Sequence, residues 1–303
     1  MPREIPLPPY DIAELVPEFA NLARDTVLLY PRSGEPGVHH SSMGGPLLWP
    51  ADEPWPYCAQ PGHWAFGTGG GSGASKPGAV PLVPVIQLFA RDVPWLEFPP
   101  GKDVVQLLWC ALIHDNDPAG AVLPKLYWRS EAETVAAGLT YDVPAPRAGE
   151  YEEDFVPRPC TVCPTPVVEY PGYDLPDGLL TELRPRLEAL EDRFGCHYTE
   201  VASALQNKVG GYPAWNQRPN WPHCEQGHRM EHLFSVTGEP AYGRWLPLDD
   251  HEPGTTPPKW DAPAAPDVLE SIGPDLEIGD AGGMYVFLCR QCPDLPYTHR
   301  YDC

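Results

Sequence analysis

Cysteine and histidine are the side chains best suited to hold a zinc ion, and this chain carries them in pairs at ligand-like spacing. Three residues separate Cys224 from His228, and two separate Cys289 from Cys292. Two such short turns brought together would close a tetrahedral shell of three thiolates and one imidazole. Cys58 is followed at short range by His63, and Cys110 by His114. These four form a second candidate set, of Cys2His2 type. The expectation is one or two structural Zn2+ ions, on Cys58, His63, Cys110 and His114 and on Cys224, His228, Cys289 and Cys292. Alternatives stay open. His223, His232 or Cys303 could serve in the second set. Cys160-Thr161-Val162-Cys163 could replace Cys110 and His114 in the first. Cys196, beside His197, reads as structural. The competing reading is that these are buried free thiols in a cysteine-rich chain.

Catalysis is harder to argue. A catalytic zinc keeps three protein ligands and an open position, whereas thiolate-rich four-ligand shells are closed. The chain has no His-Glu-x-x-His and no Gly-x-Ser-x-Gly. His223-Cys224-Glu225 and Pro159-Cys160-Thr161-Val162-Cys163 resemble pieces of a zinc deaminase signature but stand in reversed order. Asp249, Asp250 and His251 read as a solvated turn. The glycine-rich run from Phe66 to Gly78 lacks the Gly-Lys-Ser/Thr ending of a phosphate loop and reads as a flexible insertion. No catalytic residue is assigned, and enzymatic activity is left undecided, leaning against.

The segments that must position these ligands occur twice. Gly210-Gly211, Trp215, Trp221-Pro222 and Cys224 fall, after a shift of 166 residues, on Gly44-Gly45, Trp49, Trp55-Pro56 and Cys58 without a gap. In a chain with 28 glycines and 42 prolines those matches alone mean little, but two tryptophans and a cysteine in register carry weight. The sequence therefore reads as a diverged tandem duplication, with halves 1–150 and 151–303 packed as one compact unit. Each Trp-Pro pair is expected to pack as core against its metal turn rather than to line a cleft. The paired glycines are expected to form tight turns.

A hydrophobic share of 42% with ten tryptophans supports a packed core. Proline, at 42 of 303 residues, is about three times its usual share and cuts helices and strands short. Twenty basic against 42 acidic residues leave a formal charge of −22, which disfavours nucleic acid and anionic membranes as partners. No apolar run follows Met1, and Val104–Ile113 is too short to span a bilayer, so a cytoplasmic protein is expected. Reduced thiols there favour metal ligation over disulfides.

Short β-like runs dominate: residues 26–30, 83–90, 104–113, 126–129 and 229–236, with 279–289 a turn followed by a buried strand. The spacing predicts helices over 11–24, divided at Pro17, over 131–137 behind a Ser130/Glu133 capping box, over 178–194, and over 200–208. The fold class is mainly β or α+β: two related antiparallel sheets with a few short peripheral helices.

Lys208-Val209-Gly210-Gly211-Tyr212-Pro213-Ala214-Trp215-Asn216-Gln217, Met230–Val236 and Gly279–Phe287 resemble motifs of the YwqG-like proteins, bacterial proteins with a domain of unknown function. Gly44-Gly45-Pro46-Leu47-Leu48-Trp49-Pro50 is similar to the same family's opening motif. The resemblance runs from Gly44 to the end and implies a mainly β, internally duplicated fold. It implies no catalytic residues, and zinc rests on the cysteine and histidine spacing alone. The expected function is a non-catalytic binding or interaction module, with an unknown protein or small ligand as partner. The alternatives are a metal-dependent hydrolase and an acidic immunity or regulatory protein covering a basic partner.

Overall fold

The structure, a computed structural model, describes residues 2–65, 77–115, 122–254, 264–271, 273–278 and 282–302. Most of the glycine-rich run, the start of the Gly279 turn and Cys303 lie outside these residues. The fold is mainly β. Two six-stranded antiparallel sheets carry it, with few helices around them. The chain separates into two compact units. Named for their place along the chain alone, a central unit comprises Pro31–Val162 with Gly273–Ile278, and a flanking unit comprises Met1–Tyr30, Cys163–Ile272 and Gly279–Cys303. These divisions differ from halves cut at residue 150. Strand Arg24–Leu28 pairs with both Thr165–Glu169 and Lys208–Gly210, which ties the first thirty residues to the later part of the chain.

In the central unit the sheet runs Leu123–Arg129, Val104–Cys110, Val83–Phe89, Ser42–Met43, Cys160–Thr161, Arg32–Ser33. Val104–Cys110 is buried along its whole length, Gln106 included, as suits an interior strand. Two small ladders complete the unit. Tyr57–Cys58 pairs with Val80–Pro81, and His63–Trp64 pairs with Ile113–His114. Buried Gln87 and Gln106 bridge the sheet to the Trp49 segment. Gln87 Oε1 accepts from Leu48 N–H at 2.7 Å and from Gln106 Nε2 at 2.8 Å. Gln106 Oε1 accepts from Arg129 Nε, whose guanidinium forks onto Glu53 at the rim.

In the flanking unit the order is Thr165–Glu169, Arg24–Leu28, Lys208–Gly210, Glu231–Val236, Gly283–Leu288, Tyr297–Asp302. Helix Asp177–Phe194 buries Leu183 and Leu190 in a cluster with Phe19, Tyr198 and Val201, contains Pro185, and ends at left-handed Gly195. Asp11 caps a single turn, Ile12–Leu15, and Pro17 opens a 3-10 segment, so the proline does divide this stretch. Helix Glu131–Ala136 starts at Ser130, whose hydroxyl accepts from Glu133 N–H.

Two expectations need correction. The helix placed at 200–208 is shorter and earlier, Tyr198–Ala202, because His197 and Glu200 cap it reciprocally; Lys208 begins a strand instead. Asp250 is not a solvated turn residue: it is buried and accepts a hydrogen bond from Arg3 at 2.6 Å.

Candidate metal centres

The eight cysteines and histidines expected as ligands lie in two groups of four, with the expected membership. Within each group the ligand-type atoms lie within 4.8 Å of one another.

The first group sits in the central unit, and all four of its residues are buried. Local structure delivers each one. His63 and His114 are direct cross-strand partners in a two-stranded ladder. Cys58 ends the short strand paired with Val80, and Cys110 ends the buried strand Val104–Cys110. Cys58 Sγ lies 3.5 Å from His114 Nε2, and Cys110 Sγ lies 3.8 Å from His63 Nδ1. His63 Nε2 is 2.8 Å from the Gly78 carbonyl, which can only accept, so this nitrogen carries the proton. Nδ1 is left with its lone pair toward the thiols, the orientation a histidine ligand needs. Trp49 and Trp55, 4.8 Å apart, pack in one cluster with Cys58 and Cys110.

The second group sits in the flanking unit, with Cys289 and Cys292 buried and Cys224 and His228 half-buried. Two tight turns build it. In the first, Cys224 N–H donates to the His228 carbonyl and Gly227 N–H to the Cys224 carbonyl, with Gly227 at φ +81°. The second follows strand Gly283–Leu288: Cys289 N–H donates to the Pro296 carbonyl and Leu295 N–H to the Cys292 carbonyl. His228 Nδ1 lies 3.6, 3.8 and 3.5 Å from the sulfurs of Cys224, Cys289 and Cys292, and Cys224 and Cys292 are 3.8 Å apart. Trp215 and Trp221 pack with these cysteines, Met230 and Phe287. Both Trp-Pro segments therefore do pack as core against their turns.

These separations have a simple meaning. Metal–sulfur and metal–nitrogen bonds of about 2.3 and 2.0 Å in a tetrahedron give edges of roughly 3.8 Å between sulfurs and 3.5 Å between sulfur and nitrogen. Either group could hold a metal ion. Without a cation the thiols oppose each other's ionisation. The adjacent Cys110 thiol favours Cys58 as the thiolate, while that charge together with burial pushes Cys110 up. Burial, then Cys289 and Cys224, push Cys292 up to about 12. A divalent cation would favour thiolate at every position.

The alternative ligands lie elsewhere. Cys160 donates to the Gly273 carbonyl at 3.2 Å, and Cys163 belongs to the other unit, so neither replaces Cys110 or His114. His232 is held between the Gly210 carbonyl at 2.8 Å and the Ser235 hydroxyl at 3.0 Å. His223 forms a backbone bridge with Arg229 and belongs to neither group. Cys196 is packed among the helices, as a structural residue. The eight described cysteines are all free thiols.

Both glycine pairs do form left-handed turns. Gly44 and Gly45 have φ of +72° and +85°, and Gly210 and Gly211 have +74° and +67°. A Cβ on Gly44 would strike the Arg158 carbonyl, and one on Gly211 would strike Thr26 Oγ1 and Glu169 Oε2. The second turn frames a feature absent from the sequence reading. Lys208 and Glu169 are fully buried, with Nζ 2.7 and 2.9 Å from the two carboxylate oxygens. Glu169 also accepts from the N–H groups of Ala204 and Tyr212 and from the Thr26 hydroxyl. The available signal was a lysine immediately before Val209 in an otherwise apolar strand.

The chain matches none of the models of known protein families, and comparison with curated proteins finds no match either. Among the described residues no helix is long and apolar enough to cross a membrane.

Proposed function

We propose that the protein is a zinc-binding, non-catalytic binding module with two structural zinc ions, one on Cys58, His63, Cys110 and His114 and one on Cys224, His228, Cys289 and Cys292. One observation carries this reading: in each group four ligand-type atoms converge within 4.8 Å, at separations close to tetrahedral edges. Soft thiolates with imidazole favour zinc over magnesium or calcium. Four protein ligands leave no open position for an activated water, which favours a structural role over a hydrolase. Free thiols at every described cysteine suit a reducing, cytoplasmic setting.

The reading includes a common origin for the two groups. In each, a left-handed glycine pair leads into two tryptophans, a proline and the first cysteine, and the third ligand stands at or just after the end of a buried strand. The YwqG-like likeness belongs to the same proposal and rests on the motifs alone.

Elemental analysis of protein purified without chelator or a histidine tag tests the reading. Two zinc ions per chain are expected, with one lost in Cys58→Ser and the other in Cys224→Ser. Metal-free protein that is folded and soluble would overturn it.

A further inference from the structure

The flanking unit holds a pocket that the zinc reading does not use. It has a volume of about 280 Å3, at the small end of ligand pockets. Its walls are mostly apolar: Ile5 and Ile12 from the N-terminal segment, Val167 from strand Thr165–Glu169, and Val201, with Tyr170 and Asp11 beside them. A single cation, Arg244, completes the lining.

Arg244 is buried, with 8% of its surface exposed, and its Nε is sealed from solvent without a hydrogen-bond partner. Its terminal nitrogens make no hydrogen bond or ion pair among the described residues. A buried charge without a partner is costly, so natural chains rarely keep one. The carboxylate among the lining residues is spent elsewhere: Asp11 Oδ1 accepts from the N–H groups of Ala13 and Glu14 at the start of its helix. Glu169 is spent too, on Lys208.

The guanidinium is also held in place. Its Cζ lies 3.8 Å from the centroid of the Trp245 ring. That ring is fixed in turn: the indole N–H donates to the Glu200 carbonyl, and the Trp245 carbonyl accepts from the Tyr30 hydroxyl at 2.6 Å. A guanidinium packed on an aromatic ring keeps its donor edge free for a planar, two-oxygen acceptor. Burial, opposed by the charge of Glu169 and its neighbours, lowers Arg244 to about 10, still protonated at neutral pH.

We propose that this pocket binds a monocarboxylate with a short apolar body, its carboxylate paired with Arg244 and its hydrocarbon against Ile5, Ile12, Val167 and Val201. One guanidinium in an apolar pocket matches one negative charge; a phosphate dianion would keep uncompensated charge out of water. The same chemistry is offered by a free medium-chain acid and by the apolar C-terminus of a peptide.

Calorimetric titration of the full chain with octanoate, with a peptide ending in Val-Leu-COO−, and with its C-terminal amide separates the sources. Saturable binding of octanoate or of the free-carboxylate peptide is expected, and whichever binds identifies the source; the amide should not bind. Arg244→Gln should weaken binding roughly ten- to hundredfold, the value of hydrogen bonds to a charged group. Because Arg244 has no direct ion-pair partner without ligand, Arg244→Met should match or exceed the parent's thermal midpoint, whereas a purely structural arginine would lower it. Absence of binding by both carboxylates at millimolar concentration would overturn the proposal. Equal binding by Arg244→Gln, or a lowered midpoint for Arg244→Met without loss of affinity, would overturn it as well.

Discussion

The two units handle buried polarity differently. The central unit leaves little charge unbalanced: with the proposed zinc its group of two cysteines and two histidines would sum to zero, the residues bridging its sheet are the amides of Gln87 and Gln106, and buried Arg129 is forked onto Glu53. The flanking unit keeps charge inside. Its group of three cysteines and one histidine would sum to −1 with the proposed zinc, and it also buries the Lys208–Glu169 pair, Asp250 against Arg3, and Arg244. Burial runs parallel to that charge. All four residues of the first group are buried, while the second leaves Cys224 and His228 half-exposed, where water could solvate the excess. On the zinc proposal, the ligand charge would then limit how deep each group can lie.

The largest effect expected from this difference comes from removing one ligand of each group. Structural zinc contributes on the order of 10 kcal/mol to folding small domains, comparable with the whole stability of a domain. Cys110→Ser should therefore unfold the central unit, seen as loss of protection in amide hydrogen exchange over Val83–Phe89 and Val104–Cys110. Cys224→Ser, at the half-exposed group, should lose its metal yet leave those two strands protected. Equal collapse in both variants would break the comparison.

The polar interiors should differ next. Glu169→Gln leaves the Lys208 ammonium buried without its counter-charge and should cost about 3–5 kcal/mol in denaturant unfolding. Gln106→Met leaves neutral acceptors and the Nε of Arg129 unpaired, while Glu53 still holds the Arg129 terminal nitrogens, at about 1–3 kcal/mol. A larger loss for Gln106→Met would contradict the ranking of the Lys208–Glu169 pair above the amide network.

Acid should act on the flanking unit with the smallest of these effects. Burial, and then the charge of Lys208, depress His232 from 6.5 to about 3. Between those values the unfolded chain binds a proton that the folded chain does not, so stability falls as pH drops through this window and is intact above it. The contribution reaches about 2 kcal/mol at pH 5. His232→Gln should flatten the stability profile between pH 7 and 5 by that amount, whatever it costs at pH 7. An unchanged slope would mean that His232 protonates freely in the folded protein.

How much of this was legible depended on whether partners lie close in the chain. Cys224 with His228 and Cys289 with Cys292 sit on single turns, so spacing alone exposed them, and the paired tryptophans marked which turns carried ligands. Choosing Cys110 and His114 over Cys160 and Cys163 needed the strand ladder opposite His63, which spacing cannot show. Lys208 was hidden because Glu169 lies 39 residues away in a proline-rich crossing, and Asp250 because Arg3 lies 247 residues away. The alternation of short strands made the β-rich fold readable. The placement of Arg24–Leu28 between two later strands was not, because antiparallel pairing is a long-range choice that local pattern leaves open.

X-ray absorption at the zinc edge tests the central claim most directly, because it counts the atoms around the metal. Two closed shells, of two sulfurs and two nitrogens and of three sulfurs and one nitrogen, predict an average of about 2.5 sulfurs and 1.5 nitrogens per zinc at about 2.3 and 2.0 Å. Cys224→Ser, retaining only the buried group, should shift the average to two and two. A shell with oxygen or water in the fourth position, or sulfur counts unchanged by Cys224→Ser, would contradict the account.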